Sequence, residues 1–176
     1  MVESSVSADT TGNLFSFNLK QLKPSLKPYE VVLFGATESG EPNITAKSEL
    51  WYLPEKATGS VTKLDNLNGG IFFRNSKTNG VFQPLLPYGF YSSYDGFLGT
   101  SDNITRIQSY QDLGLNGMIP LTRIFDSRPA FEYLDKIDLK FMYDLRSYYK
   151  NLTAVREQVA AIKDFDSIFS YWNSDE

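Results

Sequence analysis

From Asn13 the chain alternates apolar and polar residues. Phe15, Phe17 and Leu19 are interleaved with Ser16 and Asn18, the pattern of a strand with one buried face. Pro24 and Pro28 bracket a connection, and Tyr29 to Ala36 predicts a second strand, rich in Val and Phe. Glu38 to Pro42 reads as a turn, Thr45 to Leu53 as a third strand closed by Pro54. Val61–Leu64 and Ile71–Arg74 are shorter strands separated by Asn68-Gly69-Gly70. No helical period occurs before residue 100. The pattern therefore predicts a polar, disordered tail over 1–12 and a small antiparallel β-sandwich-like region over 13–82.

After Asn79-Gly80 the periodicity changes. Tyr88 to Tyr94 is strand-like, and Thr100 or Ser101 offers a cap for a helix carrying Ile104, Ile107 and Tyr110. Gly117–Leu121 is a short apolar strand, Ser127 caps a brief helix through Phe131 and Leu134, and Lys140–Asp144 is the next strand. Leu152, Val155, Val159 and Ile162 make one apolar helical face, and Ile168 to Trp172 forms a last strand. Strands and helices alternating at this spacing predict right-handed βαβ units and a parallel sheet over 83–176. A barrel and a doubly wound sheet share this alternation. Ser92-Ser93-Tyr94-Asp95-Gly96 lacks the G-x-G-x-x-G spacing of a phosphate-binding loop, which argues against nucleotide binding.

Composition narrows the chemistry. Hydrophobic residues are 41% and charged residues 22%, an ordinary globular balance. The net charge of −4 offers no field for a phosphate backbone, and Lys20, Lys23 and Lys27 read as a solvated edge, so no nucleic-acid partner is expected. No apolar stretch approaches the roughly 20 residues of a membrane span, and Met1 to Gly12 is not a signal peptide. Sequons at Asn43, Asn103 and Asn151 point toward secretion but also arise by chance, which leaves localisation open. The chain has no Cys and no His, which removes thiol nucleophiles, disulfides, Ser-His pairs and the commonest metal ligands. No metal and no cofactor is expected. Carboxylate, Tyr and Lys remain for acid–base work, of which glycoside hydrolysis by paired carboxylates is the leading example.

If the four late strands are parallel, their carboxyl ends share one rim. The first would bring Tyr91, Tyr94 and Asp95, the second Thr122 and Arg123, the third Tyr143, Asp144 and Arg146, and the fourth Trp172, Asn173, Asp175 and Glu176. Aromatic faces and carboxylates together suit a sugar, whose C–H surface stacks and whose hydroxyls bond acids. The same aromatics also fit core packing, and Asp144–Arg146 or Asp95–Arg123 also fit structural ion pairs.

Tyr171-Trp-Asn-Ser-Asp-Glu176 resembles the strand-four motif of the clan A glycoside hydrolases. "NITRIQSYQDLGLNGMIPL" (103–121) is similar to their helix-one to strand-two segment, and "KFMYDLR" (140–146) to their third strand. The resemblance implies a β-sandwich fragment followed by α/β, the first half (about four βα units) of a TIM-type barrel, truncated. It places Glu176 as general acid/base, and Tyr91, Tyr94, Asp95, Asp144, Arg146, Trp172, Asn173 and Asp175 around the substrate. Asp175 stands where many clan members have the Asn that contacts the sugar 2-hydroxyl. The nucleophile, at the end of strand seven by resemblance, is not in this chain, so the isolated chain is expected to be inactive and part of a larger protein. Half a barrel exposes two strand edges and is expected to self-associate. The alternative is a non-catalytic carbohydrate-binding or interaction module using Tyr29, Trp51 and Tyr52 of the sandwich region.

Overall fold

The computed structural model describes residues 3–7, 9–37, 44–65 and 68–173. Met1–Glu55 and Lys56–Glu176 form separate compact units. In the first, a 3₁₀ turn at Leu19–Gln21 is capped by Asn18, whose side chain accepts from the Lys20 N–H at 2.8 Å. It precedes an antiparallel hairpin of β1 (Tyr29–Gly35) and β2 (Ile44–Leu50), in register from Tyr29↔Leu50 to Gly35↔Ile44. None of the described residues of this unit is buried.

The second unit opens with a three-stranded antiparallel sheet of β3 (Val61–Leu64), β4 (Ile71–Arg74) and β5 (Gln83–Leu85), in that order. A four-stranded parallel sheet follows, ordered β6 (Gly89–Ser93), β7 (Gly117–Leu121), β8 (Lys140–Asp144), β9 (Ile168–Trp172). Its crossovers carry α1 (Asn103–Asp112), α2 (Arg128–Lys136) and α3 (Leu152–Ile162). Pro129 sits in the first turn of α2, where no N–H is needed. Asn151 caps α3 by accepting from the Ala154 N–H at 3.1 Å. Ser127, expected as a cap, instead donates its hydroxyl to the Leu98 carbonyl at 2.9 Å.

Right-handed crossovers between strands taken in sequence order place every helix on one face of the sheet. Burial agrees. Met118, Phe141 and Tyr143 of that face join Ile107 and Tyr110 of α1, Phe131 and Leu134 of α2 and Ile162 of α3 in one core. On the other face Tyr91, Ile119, Met142, Asp144 and Trp172 are half-buried or exposed, with only Gly117 and Lys140 at its amino end buried. A doubly wound sheet would cover both faces, so this one is singly wound.

The expected fold class, a sandwich fragment followed by half a TIM-type barrel, is corrected by these sheets. The antiparallel strands make a two-stranded sheet in one unit and a three-stranded sheet in the other, not a sandwich. Residues 13–18 form no strand, and Phe15 and Phe17 stay exposed. Alternation marks a segment able to pair, but the partner strand decides whether it does. The parallel strands form an open sheet of partial α/β type. Closure into a barrel is fixed by tilt and stagger around a full ring of strands, which no local pattern encodes.

Candidate functional site

Parallel α/β sheets bind ligands beyond the carboxyl ends of their strands. At that end lies a depression of about 450 Å³, lined by Tyr94 after β6, Leu121, Thr122, Arg123 and Asp126 at and after β7, and Asp144, Ser147 and Tyr148 at and after β8. The turn after β7 is fixed from the core: the Ile124 N–H donates to the Tyr143 hydroxyl at 2.9 Å, and that hydroxyl donates to Gln158 Oε1 at 2.8 Å. All three residues are buried. Burial pushes the Tyr143 phenol up to about 12, so it stays a neutral donor. The turn thereby presents Arg123, which grips Asp126 through two bonds of 2.6 Å each. Those bonds hold the Asp126 carboxyl below the usual carboxylate range.

A second cluster stands on the helix-free face. Arg146 donates to Asp144 from Nε at 3.0 Å and Nη2 at 2.9 Å, and its backbone N–H adds a bond at 2.9 Å. The Asp144 side chain is 13% exposed and that of Arg146 25%. The guanidinium lies 3.8 Å from the centre of the Trp172 ring and 6.0 Å from that of Tyr91. The Tyr91 and Trp172 rings are 5.4 Å apart, inclined by 35°. These rings come from the two outermost strands. In a flat sheet three strand spacings would hold those strands about 14 Å apart. Their meeting shows that the sheet curves, concave on the face without helices.

Of the residues expected at the rim, Tyr91, Asp144, Arg146 and Trp172 meet in one cluster, and Tyr94 shares the adjoining depression with Asp144. Asp95 and Asn173 are exposed, and neither lines the depression. Asp175 and Glu176 lie outside the described residues, as do the Asn43 sequon and the turn at 38–42. The alternative pairing of Asp144 with Arg146 is present, whereas Arg123 pairs with Asp126 rather than Asp95. Asp126, Ser147 and Tyr148 lie in turns that no periodicity marks. The spacing of three between Arg123 and Asp126 was the one usable signal. In the first unit Trp51 and Tyr52 follow the end of β2, and Tyr29 donates its hydroxyl to the Lys23 carbonyl at 2.6 Å. Among the described residues no group of three or more carboxylates could hold a metal ion, and no helix is long and apolar enough to cross a membrane.

No protein-family model, no curated protein and no solved structure matches the chain.

Proposed function

We propose that the carboxyl end of the parallel sheet is a carbohydrate-binding site, in a protein akin to the glycoside hydrolases. The observation that carries this reading is the convergence of Tyr91, Tyr94 and Trp172 with the pairs Asp144–Arg146 and Arg123–Asp126 beside a depression of about 450 Å³. That volume lies within the range of small-molecule sites. Tyr94 in the depression offers a flat apolar face to sugar C–H groups, and the paired ions offer fixed donors and acceptors to hydroxyls. Hydrolysis enters through the resemblance of residues 171–176, which gives Glu176 the acid/base role.

The test uses Trp172 as its own reporter. The chain has two tryptophans, so Trp51→Phe leaves Trp172 alone. Titration with neutral oligosaccharides is expected to change Trp172 emission saturably, and Asp144→Ala to abolish the response. A flat titration across neutral and acidic oligosaccharides would remove the site.

A further inference from the structure

We infer that Tyr94 is the stacking platform of this site, that Gly99 is the positioning residue behind it, and that the sugar it takes is uncharged. The inference rests on the carbohydrate reading above and deepens it. A methyl group at Gly99 would lie 2.7–2.9 Å from Tyr94 Cζ, Cε1 and Cε2. Three ring carbons at nearly equal distance, with no hydroxyl contact as near, mean that the glycine backs the flat face of the ring and not its edge. The backbone does not require glycine there: φ −90° and ψ 0° are open to other residues. What glycine provides is room for the ring.

The segment that carries Tyr94 is tied down. The Gly99 N–H donates to the Tyr94 carbonyl at 2.8 Å. Leu98 is buried, and its carbonyl accepts from Asn103 Nδ2 at 2.8 Å and Ser127 Oγ at 2.9 Å. The platform is therefore set before a ligand arrives, which lowers the ordering cost of binding. Trp172 is covered by Arg146 at 3.8 Å, whereas Tyr94 lines the depression. Charge selects the ligand class. Arg123 and Arg146 are each matched by a two-point bond to a carboxylate, so the site carries no net positive charge for an acidic sugar.

The experiment compares Tyr94→Ala, Gly99→Ala and the double variant in the Trp51→Phe background. The probes are neutral hexasaccharides of glucose, mannose, xylose and galactose, with oligogalacturonate as the acidic probe. We expect a neutral probe to bind, Tyr94→Ala to weaken it about tenfold, and Gly99→Ala to weaken it severalfold. Gly99→Ala should add nothing once Tyr94 is Ala, because the glycine acts only through the ring. A Gly99→Ala chain that fails to fold, but folds when Tyr94→Ala is added, supports the same contact. Binding that survives Tyr94→Ala while Asp144→Ala abolishes it overturns the platform and leaves the site standing. Tighter binding of oligogalacturonate overturns the uncharged assignment. No response to any probe overturns the site itself.

Discussion

Tyr143→Phe removes one oxygen atom from the core and should be far more costly than its size suggests. The hydroxyl accepts from the Ile124 N–H and donates to Gln158 Oε1, and both partners are at most 2% exposed. Removing it leaves a buried donor and a buried acceptor unpaired, each costing about 1–3 kcal/mol, so the variant should lose about 2–6 kcal/mol. An exposed Tyr→Phe change stays within about 0.5 kcal/mol. In urea, with a slope of about 1–3 kcal/mol per molar, the midpoint should fall by on the order of 1–2 M at unchanged slope. Adding Gln158→Leu removes the stranded acceptor and should recover about half the loss. The damage should also reach the site, since the Ile124 N–H anchors the turn bearing Arg123 and Asp126. A loss below about 0.5 kcal/mol, or no recovery in the double variant, would refute the view that this hydroxyl is a satisfied two-way link.

Burial pushes the Tyr143 phenol up to about 12, and it raises Tyr110 and Tyr171 as well. A folded value above the unfolded value of about 10 means that stability is fully present below pH 10 and lost as pH rises through about 12. Tyrosinate absorbance should therefore show a set of phenols ionising only with unfolding; simple titration of every phenol near its free value would contradict this. Asp135 is raised above the ordinary carboxylate value, first by burial and then by the Asp166 charge, while its Oδ1 accepts from the Ser167 N–H at 2.7 Å. Its neutral form suits the fold, so ionisation at neutral pH costs stability. Asp135→Asn keeps the acceptor and should raise the urea midpoint at pH 7, with the advantage vanishing as pH falls through the carboxylate range; a constant difference at all pH values would contradict it. Gly89→Ala would drive a methyl group into the Gly117 backbone carbonyl and should separate the first pair of parallel strands. Loss of the cooperative transition is expected, and a wild-type midpoint would count against this pairing.

Much of the parallel sheet could be read from the chain. Gly117–Leu121, Lys140–Asp144 and Ile168–Trp172 are dense apolar runs with abrupt ends, and they are strands over those same residues. β5 is not predicted, because Gln83-Pro84-Leu85 has no period of its own; it is a strand through pairing with β4. Phe15 to Leu19 failed in the opposite sense, with a good alternation and no partner. The rim residues Tyr91, Asp144 and Trp172 were legible because parallel strands gather their carboxyl ends. Asp126, Ser147 and Tyr148 were not, because they sit in turns. The turn bearing Asp126 is aimed by the Tyr143 hydroxyl, reaching from a strand distant in sequence.

The junction between β3 and β9 limits how the molecule can grow. Phe169 has no opposite residue on β8, because Phe141 faces Ile168 and Met142 faces Ser170. The extra residue lets two successive carbonyls, of Ile168 and Phe169, turn outward, and Ser60 Oγ and Thr62 Oγ1 donate to them. Hydroxyl groups thus occupy acceptors that a docking strand would need at the start of this border, while the β6 border keeps exposed Tyr88 and Phe90. Head-to-tail stacking into a fibre requires two complementary borders, one to give and one to receive. With these two acceptors occupied, strand addition at the start of the β9 border is blocked. Replacing Ser60 and Thr62 by Ala and Val would free both carbonyls and is expected to increase self-association, visible by light scattering; unchanged scattering would count against the hydroxyl plug.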